Sequence, residues 1–518
     1  MRKFRFIGEF CFSNCRGGRL CPPTRSACTG AQSRAPLRCQ NAANSSINRN
    51  LIKFCIGGVS MEFSELWFLY LFLPVTVVVY FLMPSMRSKN LFLLIVSMAF
   101  YVLAQPIYLL LFLALTCINY ILSKRVKPEK RLSVTLPILL TLGILIAFKL
   151  AQVLAVFPFA DGTFLQTLVL PLGISYYTFQ LIAYQVDIYR GKHAPASRLL
   201  DLLLYAFIFP KIITGPIVRF ADFGPQIRKR RTNSQTLFQG MQRFIFGLSK
   251  KVLIADYCGG VITALASDTS GAGAWLSALM FMFQIYFEFS GCSDMAIGMA
   301  RIFGFTFCEN FNIPYGAASV TDFWRRWHMS LGSFFRDYVY IPLGGNRKGK
   351  LRQIFNMFVV WALTGLWHGT SLNYVLWGVY FFVLLAIEKQ LMSKLESLPK
   401  VVRWLITSLL ILFGWVIFSG QNIVSLFVFD RFGSTLVSVQ LRNSMLLIVA
   451  CVIGSSALPK KFSQLWQKLS QENAKAITFK HIVYAVGIFV VIALLLWLCT
   501  VSLIGATNAP DIYGGKLR

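Results

Sequence analysis

Residues 481–505 read HIVYAVGIFVVIALLLWLCTVSLIG, a run without a single Lys, Arg, Asp or Glu. About 20 apolar residues wound into a helix cover the roughly 30 Å of hydrocarbon in a bilayer, so a stretch like this predicts a membrane span. Working outward, comparable apolar runs lie near 64–84, 90–123 (two helices broken at Pro106), 133–150 and 165–190. More follow near 199–217, 236–266, 272–304, 353–391 (two helices), 401–419 and 443–458. Together they predict roughly eleven to thirteen transmembrane or re-entrant helices. Helices rather than a barrel are expected, because each such run can satisfy its own backbone hydrogen bonds inside lipid. The fold class read here is an all-α polytopic membrane protein. Composition agrees: 56% of the 518 residues are hydrophobic and 14% charged, with a mean hydropathy of +0.61.

The formal charge of +31 would suit a nucleic-acid binder. The Lys and Arg residues, however, cluster in short connectors such as 124–131 and 228–231, the pattern produced by the positive-inside rule. No nucleic-acid partner is expected. Residues 1–60 stand apart, with ten Lys or Arg against one acid, Glu9, and no apolar run long enough for a span. They read either as a start assigned too far upstream or as a disordered basic tail, and the domain proper runs from 61 to 518. Six of the twelve cysteines (Cys11, Cys15, Cys21, Cys28, Cys39 and Cys55) fall in that segment without paired CxxC spacing. The rest are scattered along apolar runs, so no metal site is expected.

Two runs break where a polar or rigid residue interrupts them: Pro171-Leu-Gly-Ile-Ser and Phe209-Pro-Lys-Ile-Ile-Thr-Gly-Pro216. Such breaks are tolerated at membrane depth only where protein or a water-filled cavity covers the freed backbone groups, which predicts an internal chamber. Only four histidines occur: His193, His328, His368 and His481. His368 sits in Thr364-Gly-Leu-Trp-His-Gly-Thr370, between apolar helices. An ionisable group there is a functional candidate, since its desolvation is costly. A neutral imidazole has the pKa to take a proton from an attacking hydroxyl. A histidine hydrogen-bonded to a neighbouring helix is the plain structural alternative.

His328 sits in Asp322-Phe-Trp-Arg-Arg-Trp-His-Met-Ser-Leu-Gly-Ser-Phe-Phe-Arg-Asp337. Residues 324–336 read as an amphipathic interfacial helix, with Trp324 and His328 four residues apart on one face. Arg325, Arg326 and Arg336 would then meet water, phosphate or lipid headgroups. Glu288 and Asp294 lie within an apolar helical run, where each needs a partner; a structural ion pair and a binding role are equally open readings. The nearby Gly291, Ser293, Gly298 and Gly304 suit close helix packing. No Gly-rich phosphate loop, HExxH or GxSxG motif is present, which leaves nucleotide hydrolase, zinc protease and serine esterase chemistry without support.

Taken together, several motifs resemble the membrane-bound O-acyltransferase family, in particular its bacterial branch of alginate, polysaccharide and peptidoglycan O-acetylation proteins. They are Pro171-Leu-Gly-Ile-Ser-Tyr-Tyr-Thr-Phe-Gln180, Val186-Asp-Ile-Tyr-Arg-Gly191, Gly215-Pro-Ile-Val-Arg219, Asp322-Phe-Trp-Arg-Arg-Trp-His328, Arg336-Asp-Tyr-Val-Tyr-Ile-Pro-Leu-Gly-Gly-Asn346 and Leu366-Trp-His-Gly369. Gln180, Gln185 and Cys292 are small departures that remove no catalytic group. The resemblance implies a ring of helices around a funnel or tunnel, with His368 as the catalytic histidine and His328 as the second one. It leaves Arg325, Arg326, Arg336, Asp337, Asn346, Glu288 and Asp294 as candidates for substrate or donor binding. It further implies transfer of an acetyl group from a cytoplasmic thioester, acetyl-CoA foremost, with no bound cofactor. The acceptor would be a cell-surface polysaccharide, reached with a periplasmic acetyltransferase partner at the bacterial cytoplasmic (inner) membrane. D-alanyl transfer to teichoic acid is the enzymatic alternative. A polysaccharide or acyl-donor transporter is the rival outside enzymology, though the chain shows no internal repeat of the kind transporters carry.

Overall fold

The computed structural model describes residues 62–155, 163, 168, 170–212, 215–428, 434–461 and 479–508. The basic first 60 residues, expected to be an extension or an upstream start, lie outside the described residues. Every regular element among the described residues is helical. Seven helices are long and apolar enough to cross a membrane, or eight if the bent pair Thr435–Asn443 and Met445–Ser455 counts as one span. The expected eleven to thirteen spans or half-spans thus resolve into this smaller set of full crossings and several shorter helices.

After the helix α1 (Leu73–Leu82) come α2 (Met86–Ala104) and α3 (Pro106–Ser123). The break between them falls at Gln105, with Pro106 at the first position of α3, where its missing N–H costs nothing. Next follow α4 (Arg131–Leu154), α5 (Ile174–Tyr189), α6 (Leu199–Phe207), α7 (Phe209–Ile212) and α8 (Phe220–Arg228). The interrupted segments are covered by protein, as their polar backbone requires. Gln105 Oε1 accepts from the Leu172 N–H at 2.6 Å, Ser97 Oγ from Phe209 N–H at 3.1 Å and Ser330 Oγ from Ile217 N–H at 3.1 Å. Gly173, at φ 74°, starts α5; a side chain there would run into the Ile212 carbonyl.

The helices α9 (Ser234–Ser249) and α11 (Gly271–Ile302) flank α10 (Asp256–Ala264) and pack along a glycine seam. Gly240 and Gly247 on α9 face Gly298 and Gly291 on α11. A Cβ on Gly240 would lie 2.7 Å from the Gly298 carbonyl oxygen, and one on Gly247 2.6 Å from that of Gly291. Spacing by seven residues keeps each pair on one helix face, so Gly291 and Gly298 serve packing.

The chain then forms α12 (Val320–Arg326) and α13 (Met329–Phe335), a π-helical turn at Arg336–Tyr340, α14 (Lys350–His368), α15 (Leu372–Glu396) and α16 (Lys400–Ser419). Residues 324–336 are therefore not one helix, contrary to the amphipathic reading. The run breaks at His328, a non-glycine residue in the left-handed region at φ 46° and ψ 52°. Long-range bonds described below outweigh the local helical preference. The helices α17 (Thr435–Asn443), α18 (Met445–Ser455) and α19 (Phe479–Asn508) complete the described chain.

Candidate active site

The hairpin of α14 and α15 brings the Trp-His-Gly segment into place. Its helices touch at glycines: a Cβ on Gly365 would lie 2.5 Å from the Tyr374 carbonyl oxygen, and one on Gly378 2.6 Å from that of Trp361. Gly369 ends α14 against the Tyr374 ring, leaving no room for a side chain. His368, the last residue of α14, is half-buried among rings, with centroids of Trp367 at 4.7 Å, Trp377 at 5.1 Å and Phe418 at 5.1 Å.

His328 is buried and held by a residue that sequence reasoning missed, Asn310. Asn310 Oδ1 accepts from the Ser330 backbone N–H at 3.3 Å and the Ser330 hydroxyl at 2.8 Å. The Asn310 carbonyl accepts from Met329 N–H at 3.0 Å. A backbone N–H can only donate, so the atom it faces must be the amide oxygen. His328 Nδ1, 3.1 Å from the same oxygen, therefore carries a proton and donates it. Buried with no carboxylate bonded to it among the described residues, the ring is neutral, since a charge there would go uncompensated, and its Nε2 presents a bare lone pair. Among the described residues that buried Nε2 has no hydrogen-bond partner. The Phe289 ring packs edge-on at 4.6 Å. A left-handed non-glycine residue costs on the order of 1–3 kcal/mol, a strain sustained here by the four bonds around Asn310. In the sequence Asn310 was one polar residue in a connector, with no helix or motif to mark it.

Both histidines line one cavity of about 190 Å³. Its wall along α14 is Met357, Val360, Trp361, Thr364 and His368, one helical face about 16 Å long at 1.5 Å per residue. Trp324, Trp377 and Leu331 form other parts of the wall, and Arg336 and Tyr340 also line it. Trp367, between the histidines, centres 6.0 Å from His328. Among the described residues, the buried indole N–H groups of Trp324 and Trp377 have no protein acceptor. The indole N–H groups of Trp67, Trp367 and Trp415, which do not line the cavity, are unpaired among the described residues in the same way.

The remaining candidates divide between the cavity and the scaffold. Arg336 is exposed and lines the cavity, with its Nε 2.7 Å from Asp337 Oδ1. Asp337 also pairs with Arg219, and its carbonyl accepts from Arg190 at 2.9 Å. Burial alone would raise the Asp337 carboxyl, yet hydrogen bonds and charge from Arg336 and Arg219 hold it below the usual carboxylate value. Tyr338 donates to Asp187 at 2.7 Å. The Val-Asp-Ile-Tyr-Arg, Gly-Pro-Ile-Val-Arg and Arg-Asp-Tyr motifs thus meet at the Arg336 end of the cavity. Arg326 pairs with Asp322 at 2.9 Å within α12, while Arg325 and Asn346 are exposed and do not line the cavity. Asp294 sits at the seam of α9 and α11, bridged to Arg243 at 2.7 Å and Lys250 at 2.6 Å. Glu288, on the same helix, lies within electrostatic reach of Lys251; neither acid lines the cavity. Among the described residues no three His, Cys, Asp or Glu side chains gather to hold a metal ion.

The chain is similar to several known proteins. Residues 193–429 match the model of the membrane-bound O-acyltransferase family. Over 376 residues, covering 70% of this chain and 73% of the relative, the chain is 41% identical to a Pseudomonas fluorescens protein named "Probable alginate O-acetylase". It is 33% identical to the peptidoglycan O-acetyltransferase of Helicobacter pylori, over 69% of this chain and 77% of the relative. Similarity to the teichoic acid D-alanyltransferase of Bacillus subtilis is 32% and spans 48% of this chain and 69% of that one.

Proposed function

Since the chain belongs to the membrane-bound O-acyltransferase family, we propose that it carries an acetyl group from a cytoplasmic thioester, acetyl-CoA, to O-acetylate a cell-surface polysaccharide. The observation that carries this reading is the single cavity shared by His328 and His368 with an arginine on its wall. Near that arginine the chain exposes Arg347, Lys348, Lys350 and Arg352, a basic cluster that favours the cytoplasmic side. An anionic donor would approach there and extend its thioester along α14 toward His368.

In the proposed reaction His368 takes the proton of the acceptor hydroxyl as its oxygen adds to the thioester carbonyl. The tetrahedral oxyanion then collapses, the C–S bond breaks and the leaving thiolate receives the proton. Neutral His328 cannot donate from its bare Nε2, so it is suited to accept a hydrogen bond and orient a hydroxyl or amide N–H of the substrate. The acceptor hydroxyl belongs to the glycan or to a periplasmic acetyltransferase that relays the group, and the site of action is the bacterial cytoplasmic membrane. Acetylating relatives share a longer stretch of this chain than the D-alanylating one, which supports acetyl as the cargo.

The test is transfer of labelled acetyl from acetyl-CoA by the full chain in proteoliposomes. Alginate and peptidoglycan serve as acceptors, with a D-alanyl carrier thioester as the competing donor. His368→Ala should abolish transfer at unchanged protein level. Acetylation retained in that variant would remove His368 from the chemistry; labelling only from the D-alanyl donor would reassign the cargo.

A further inference from the structure

Lys149 lies on the long apolar helix α4, eighteen residues after Arg131. Its ammonium does not stand free: Nζ donates to the Leu366 carbonyl at 3.0 Å and the Trp367 carbonyl at 2.9 Å. Those are two of the last carbonyls of α14, immediately before His368. A helix leaves its final four carbonyls without intrahelical partners. Here Gly369 N–H serves the Gly365 carbonyl at 3.3 Å, and Lys149 serves the next two. A cation at a helix C-terminus also opposes the negative end of the macrodipole.

The plain alternative is a lysine near a helix end stretching its ammonium toward water. A snorkelling side chain has no need of two convergent acceptors on another helix. Lys149 instead bonds to the one turn that carries Trp367 and His368, and Trp367 in turn packs against Phe179 at 5.9 Å and Tyr176 at 5.8 Å on α5. Among the described residues, the contacts found for the His368 imidazole are to rings. Those rings hold the imidazole's rotamer, and the backbone that carries it is pinned from α4.

We propose that Lys149 is a positioning residue for acyl transfer, clamping the end of α14 so that the His368 imidazole points into the cavity. The proposal rests on His368 being the base. Misplacing a reacting group by about 1 Å can cost on the order of 100-fold in rate. Lys149→Met keeps the length and apolar stem but removes the donors. In the proteoliposome assay with labelled acetyl-CoA, its kcat should fall about 10- to 100-fold while KM for acetyl-CoA stays within about two-fold. Lys149→Arg, which keeps a charged multiple donor, should recover most of that loss.

Activity in His368→Ala would overturn the underlying reading and leave the clamp without an object. If His368→Ala is inactive and Lys149→Met turns over like the wild type, the clamp is wrong and the reading stands. A Lys149→Met defect that Arg does not relieve, and that tracks a fall in thermal stability of the purified protein, makes Lys149 a structural residue only and also overturns the proposal.

Discussion

Removing the Asn310 amide would strand the His328 Nδ1–H and the Ser330 N–H and hydroxyl, all of which converge on one oxygen. A buried donor left unpaired costs about 1–3 kcal/mol. Asn310→Ala is therefore expected to lower stability by on the order of 2 kcal/mol or more, read from thermal unfolding of the purified protein. Because Ser330 shares the same bonds, Asn310→Ala/Ser330→Ala should lose less than the sum of the single variants. Additive losses would mean the two residues act separately. At this scale the sequence marked both histidines by rarity and setting. Asn310 and Lys149 it left unmarked, since each matters through a partner more than 15 residues away in the chain.

Between elements, the Arg336 end of the cavity is tied together by Asp337, which joins the π-helical turn to Arg219 at the start of α8 and to Arg190 at the end of α5. Its carboxyl is held below the ordinary carboxylate range, burial being outweighed by the two guanidinium partners. A depressed folded-state value contributes stability above the unfolded pKa of about 3.9, and that contribution is lost as pH falls through the folded value. Asp337→Asn should thus be less stable than the wild type by a constant margin from about pH 5 to 8, and the gap should close below about pH 4. Thermal unfolding of the pair across that range reads it; a gap that widens in acid would contradict the ion pair. The helical character of these elements was legible from their apolar runs and breaks, down to the interruption at Pro106. The break at His328 was not, because residues 324–336 satisfy a helical pattern locally and only the Asn310 bonds, the packing of Phe289 and the seat of Ser330 against Ile217 override it.

For the whole molecule, α14 must carry the chain from the basic side of the membrane to the level of His368, although it is absent from the set of helices with clear span composition. Its 19 residues rise about 28 Å, enough to cross the hydrocarbon. Single cysteines at the exposed positions Arg347 and Thr370 should therefore be labelled by an impermeant maleimide from opposite sides. The first should react in inside-out vesicles and the second in right-side-out ones, above the signal of the parent protein. Labelling of both from one face would make α14 re-entrant. Membrane residence, helical class and the two histidines follow from the sequence by itself, because hydropathy and residue rarity are properties of the chain as written. The cavity shared by the two histidines, the bare Nε2 of His328 and the hold of Lys149 on the turn before His368 were decided by tertiary structure alone. Each depends on hydrogen bonds and ring contacts between segments far apart in sequence, and the strength of such bonds lies in distance and direction, which a linear pattern does not contain.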